Sequence, residues 1–206
     1  MFQAPRSRFI QAVLLANLVM YLAANAARPL VIGLFGLIPE RVLYMPWMLV
    51  TNMFIHADFW HLFTNMFFGL FMFGSYLERI IGERKFMKVY FAGGLAGGLA
   101  YMGMSFIFGI PQPHIPAIGA SGAVFGVIGA LVMLRPNMVI YFNLFFPMKL
   151  WIFATIYVLY SLIALPGNFD AGVAHAAHLG GLFIGLYLGK SLKVPEVPTY
   201  THIKYY

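Results

Sequence analysis

Two short apolar stretches carry the side chains that could do covalent chemistry. One is Gly119-Ala-Ser-Gly122, in which Ser121 is flanked by glycine and alanine. The other is His175-Ala-Ala-His-Leu-Gly-Gly181, in which His178 precedes a glycine pair. A serine hydroxyl activated by an imidazole is the minimal equipment for acyl transfer. On spacing alone Ser121 is either such a nucleophile or the cap of a helix start. His178 is either a base or a histidine bonded to a helix carbonyl. His61 and Asn65 are four residues apart, so on a helix they share a face and could add hydrogen-bond donors. His56 and His175 lie beside these groups, each readable as structural. Three imidazoles around His61 raise the question of a metal. The chain lacks His-Glu-x-x-His, so no metal or other cofactor is expected.

The surroundings of these residues explain why they stand out. Apolar residues form 62% of the 206-residue chain and charged residues 9%, against roughly 45–50% and 25% in soluble domains. So few charges cannot make a water-soluble surface. Thirteen Lys and Arg against six acids give a net charge of +7, but the basic residues are scattered, which excludes a nucleic-acid footprint. The absence of cysteine excludes disulfides and thiol catalysis. An integral membrane protein remains.

Apolar runs near the ~20 residues that cross a bilayer predict six spans, over Phe9–Ala27, Phe59–Leu77, Phe86–Phe108, Ile118–Leu134, Met148–Leu165 and Ala171–Gly189. Prolines 29, 111, 113, 116, 136, 147 and 166 punctuate their ends. The first run is longer than a signal-peptide core and reads as a retained anchor. The fourth is short, which leaves room for a polar cavity shielded from lipid. The long segment Leu30–Asp58, apolar and aromatic, reads as structured and interfacial, with Tyr44 and Trp47 at headgroup level. The glycines of spans 3, 4 and 6 repeat at four-residue spacing, predicting close helix contacts with spans 4 and 6 adjacent at the centre. The expected class is thus all-α and polytopic: a six-helix membrane domain over residues 1–190 and a short cytoplasmic tail over 191–206.

Of the 13 basic residues, only Arg28 and Arg41 fall on one side of this arrangement. By the positive-inside rule both termini are cytoplasmic. Ser121, His178, His61 and Asn65 then converge from three helices at one depth below the outer surface. Polar groups at that depth are functional candidates by default.

This constellation resembles the rhomboid family of intramembrane serine proteases. The matching residues are His56, His61 and Asn65 opening span 2, Glu78-Arg79 at its end, Gly119-Ala-Ser-Gly122 opening span 4, and Ala177-His-Leu-Gly-Gly181 on span 6. Trp47 lies nine residues before His56, as an outer-loop tryptophan of the family does. The resemblance runs from Trp47 to Gly189. It implies that Ser121 is the nucleophile and His178 the general base, with no third acid, so Asp170 is not promoted to a triad. It also implies an oxyanion held by the Ser121 backbone N–H with the side chains of His61 and Asn65. Gly119 supports the turn, and Phe125 packs against the His178 ring where a tyrosine is also seen. Met48, where a polar or basic residue is frequent, is a second departure. The implied substrates are single-span membrane proteins cut near the outer end of the span, with a small residue before the cut. Span 5, with Phe153, Tyr157 and Tyr160, resembles the element that forms a lateral gate with span 2. The rival readings are a non-catalytic scaffold or chaperone that binds transmembrane helices, and a small transporter, for which no mid-membrane carboxylate is present. The lack of an added domain or targeting extension leads to an expected prokaryotic plasma membrane.

Overall fold

The computed structural model describes residues 7–142, 145–167 and 174–192. Its long helical segments are α1 (Arg8–Ala26), the continuous run from α4 (Phe59–Phe63) to α5 (Ser75–Ile81), α6 (Glu83–Phe108), α7 (Ser121–Leu134), α8 (Leu150–Gly167) and α9 (His175–Ser191). Two short helices, α2 (Arg28–Phe35) and α3 (Met48–Thr51), lie between α1 and α4. By length and composition α1 and α6 suffice to cross a membrane, while α7 and α8 are shorter apolar helices. The expected tail beyond Leu192, and Asp170, lie outside the described residues.

Local chemistry sets the boundaries. Ser7 caps α1 by accepting a hydrogen bond from the Ile10 N–H at 3.2 Å. Pro29 sits in the first turn of α2, where its missing donor costs nothing. Gly82, with φ 81°, makes the break between α5 and α6. Between α4 and α5, Thr64–Gly74 widens into π-type winding. There Gly69 lies against Val124 of α7, where a side chain would collide.

Two helix starting points differ from the sequence expectation. The fourth helix begins at Ser121, not Ile118, because the backbone at Gly119 takes a φ of 121° that is not helical. The last helix begins at His175, so His178 lies on its first turn and not two turns in. The fold is mostly helical, as expected, with one short hairpin that the sequence expectation did not include: β1 (Val139–Phe142) pairs antiparallel with β2 (Phe146–Lys149). Short apolar β-branched and aromatic runs are indistinguishable from helix ends by composition. Pro136 therefore precedes a hairpin, and Pro147 lies within its second strand, paired with Tyr141.

The centre is built from α6, α7 and α9. A Cβ on Gly181 or Gly185 of α9 would collide with the carbonyls of Gly122 or Gly126 of α7. Gly97 of α6 approaches the Ala177 carbonyl, to which an added Cβ would stand 2.7 Å away. Contacts this close bring backbones together without large side chains, which is how helices associate where water cannot drive them. The outer surface is apolar as well. Leu15 and Leu22 of α1, Leu99 and Ile107 of α6, Leu159 and Ile163 of α8 and Phe183 of α9 are all exposed. A chain apolar both inside and outside suits lipid, not water.

The segment between α1 and α4 is anchored, not free. Trp47 Nε1–H donates to the Leu34 carbonyl at 2.8 Å, and the Arg28 guanidinium donates to the Ala57 carbonyl at 2.6 Å. Met48, the departure from the family pattern, is fully buried against Leu37 and Tyr101. At this position packing replaces a polar contact.

Candidate active site

Ser121 is the first residue of α7, and Ala120 holds the cap position without any side-chain capping bond. The hydroxyl is therefore not spent on its own helix. Its Oγ lies 2.7 Å from His178 Nε2 of α9, a hydrogen bond across 57 residues of sequence. The Gly122–Gly181 contact next to both residues accounts for this closeness. Phe125, one turn after Ser121, stacks on the imidazole with ring centres 4.7 Å apart and planes at 21°. Tyr157 of α8 packs on Phe125 and hydrogen-bonds His178 Nδ1 through its hydroxyl. Both ring nitrogens of His178 are thus engaged.

Gly119 has a φ of 121°, a conformation side-chain-bearing residues rarely adopt. Its Cα faces the His61 ring so closely that a Cβ would lie 2.7 Å from His61 Nε2 and 3.7 Å from Ser121 Oγ. His61 Nε2 thus lies close to Gly119, in the cavity that Ser121 also lines. Its other nitrogen, Nδ1, accepts a hydrogen bond from the Ala57 N–H at 3.3 Å, which leaves the proton on Nε2, the nitrogen facing the site. Asp58 caps this helix by accepting from the His61 N–H at 2.8 Å. Asn65 is buried on the same face, and its Nδ2 donates to the His61 carbonyl at 2.9 Å.

These side chains line one cavity of about 870 Å³, which Ser121, His178, His61, Asn65, Phe125 and Tyr157 share with Tyr101 and Phe153. The first N–H groups of α7 have no partners within their own helix and stand beside the serine hydroxyl, where negative charge would be favoured. A nucleophile, a base and donors around one space form the equipment of acyl transfer. Among the described residues no cluster of three His, Cys, Asp or Glu side chains could hold a metal.

Two contributions were not assigned from the sequence. Tyr157 reads there as one of several gate or lipid-facing aromatics, since nothing in its spacing points to His178. His56 is buried, and its Nε2 accepts from the Ala120 N–H at 3.5 Å, bracing the residue before Ser121. Burial, reinforced by His61 and opposed by Asp58, pushes the His56 pKa down from 6.5 to about 3. His175 lies one turn before His178 and pairs its Nδ1 with Ser161 Oγ of α8 at 3.3 Å.

The comparisons with known proteins agree on one family. The rhomboid domain family matches residues 44–193. Rhomboid protein 1, mitochondrial, of Saccharomyces cerevisiae is 32% identical over 152 residues, covering 68% of this chain and 40% of the yeast protein. Rhomboid protease GluP of Bacillus subtilis is 31% identical over 151 residues, covering 73% of this chain and 27% of GluP. Rhomboid-like protease 3 of Toxoplasma gondii is 31% identical over 164 residues, covering 78% of this chain and 57% of its own length. The chain thus spans less than two thirds of each of these relatives. They include mitochondrial and bacterial proteins, so the match does not select the expected prokaryotic plasma membrane. The match covers most of the chain and takes in both halves of the serine–histidine pair. The chain is therefore a member of the rhomboid family, whose members are integral membrane proteins.

Proposed function

We propose that this chain is an intramembrane serine endopeptidase that cuts membrane-spanning segments with a Ser121–His178 dyad. The observation that carries the reading is the 2.7 Å contact between Ser121 Oγ and His178 Nε2 at the wall of a cavity inside an apolar bundle. His178 takes the Ser121 proton as Oγ attacks the scissile carbonyl, then gives it to the leaving amine. Water repeats the sequence on the acyl-enzyme. The oxyanion is held by the Ser121 N–H with His61 and Asn65 as side-chain donors. Asn65 must release the His61 carbonyl to take part, a local rotation of the kind catalytic bonds undergo when substrate arrives. Gly119 and Phe125 support, the first by admitting the His61 ring and the second by stacking on the base. No cofactor or metal enters the cycle.

The partners that fit are single-span membrane proteins within the bilayer, whose helices must unwind locally to present a peptide bond. Six helices cross the membrane in this reading. The asymmetry of the basic residues supports cytoplasmic termini, with the cavity opening to the other side. The deciding experiment is labelling by a fluorophosphonate probe, with Ser121→Ala as control, alongside cleavage of a single-span substrate in proteoliposomes. Labelling and cleavage that both vanish in Ser121→Ala support the dyad. A wild-type chain that binds the substrate helix but neither labels nor cuts is a scaffold on the same fold.

A further inference from the structure

His178 faces Ser121 with Nε2 and Tyr157 with Nδ1. A neutral imidazole carries one N–H, so the two neighbours compete over where it sits. Only the form protonated on Nδ1 leaves a lone pair on Nε2 to receive the serine proton. In the other form Nε2–H would donate to Ser121 Oγ, and the serine could not be deprotonated. Triads resolve this choice with a carboxylate that accepts the Nδ1–H bond. Here the group at Nδ1 is a phenol. It comes from α8, and Phe125, the ring stacked on the imidazole from α7, has no hydroxyl to offer.

The placement of Tyr157 is specific. Its ring packs on Phe125 with centres 4.3 Å apart and planes tilted by 31°, which fixes the direction of its hydroxyl. One turn along α8, Ser161 Oγ meets His175 Nδ1 at 3.3 Å. Tyr157 and Ser161 are four apart on α8, and His175 and His178 three apart on α9, so both bonds lie along one seam between these helices. Resting on the serine-protease reading above, we propose that Tyr157 is a positioning residue for His178, its phenolic oxygen accepting the Nδ1–H bond and holding the imidazole in the form that can deprotonate Ser121. During acylation the serine proton moves to Nε2, the Oγ–carbon bond forms and the carbon–nitrogen bond breaks as that proton passes to the amine. The Nδ1 proton stays in place, donated to Tyr157, which remains a neutral phenol throughout.

The test is Tyr157→Phe, which keeps the ring on Phe125 and removes the oxygen. In bilayers, nitrogen NMR of histidine-labelled wild type should show His178 protonated on Nδ1, and Tyr157→Phe should shift it toward Nε2. On a single-span substrate the variant should lose about 10–100-fold in kcat with KM nearly unchanged. The other titratable groups facing the imidazole are His175 on its own helix, His61 from α4 and Tyr101 from α6, with Asp58 at the cavity wall. All of them are unchanged in the variant. An unaltered tautomer, or a loss confined to KM, overturns the proposal. If wild type itself cuts nothing, the protease reading fails, and the NMR comparison still decides what Tyr157 does to His178.

Discussion

Gly181 of α9 rests against the carbonyl of Gly122 in α7, with no room for a Cβ between them. Gly122 follows Ser121, and Gly181 lies one turn after His178. The helix contact and the hydrogen bond of the dyad are therefore two consequences of one approach. Gly181→Val should push α9 off α7. Overpacking of this kind costs about 1–3 kcal/mol or more. The variant should unfold at a lower temperature in detergent and lose probe labelling, even though both dyad residues remain.

Replacing the dyad members separates chemistry from packing. On the proposed mechanism Ser121→Ala removes the nucleophile and should reduce cleavage to background. His178→Ala should lower the rate by at least about 10²–10⁴-fold, the contribution of a positioned general base. Ser121→Ala should leave the thermal midpoint close to wild type, because among the described residues its hydroxyl bonds only His178 and the helix cap is not involved. Cleavage by purified Ser121→Ala in proteoliposomes would sink the mechanism.

The donors predict a smaller effect of a different kind. His61→Ala and Asn65→Ala should each lower kcat by about 10²–10³-fold with little change in KM, as expected for contacts that strengthen in the transition state. Steady-state kinetics on one substrate measures both.

Much of this site is readable from residue spacing. The four-residue glycine repeats identify the faces of α7 and α9 that meet, and they carry Ser121 and His178 with them. Asn65 and His61 share a face at i, i+4. Other features are hidden for physical reasons. Tyr157 sits in a helix rich in aromatics, where one ring that turns inward looks like those that face lipid. The π-type winding of Thr64–Gly74 and the hairpin at Val139–Lys149 depend on contacts between helices, and local periodicity does not encode those. His56 gains its role from the Ala120 N–H, 64 residues away.

Gly119 tests how the backbone serves the site. Gly119→Ala would place a Cβ 2.7 Å from His61 Nε2 in a φ of 121°. Strain at such a position costs on the order of 1–3 kcal/mol. The ring of His61 must also move away from the serine. The expected outcome is a lower thermal midpoint together with a fall in kcat greater than the stability loss accounts for. A variant with wild-type kcat would show that His61 Nε2 does not act at this position.

His56 makes stability depend on pH in a definite direction. Its pKa is about 3 in the fold and 6.5 when unfolded, with burial the main cause. Between these values the unfolded chain binds a proton that the folded chain refuses. Stability therefore falls as pH drops through this window and is fully present above it. The full contribution is a few kcal/mol, given about 1.4 kcal/mol per pKa unit. His56→Gln keeps an oxygen that can accept from the Ala120 N–H and removes the titration. Its midpoint should be near or below wild type at about pH 7.5, yet fall less on moving to about pH 4.5. Thermal unfolding in detergent at the two pH values measures this difference. An equal fall in both proteins would mean that His56 is not the group whose protonation lowers stability in this window.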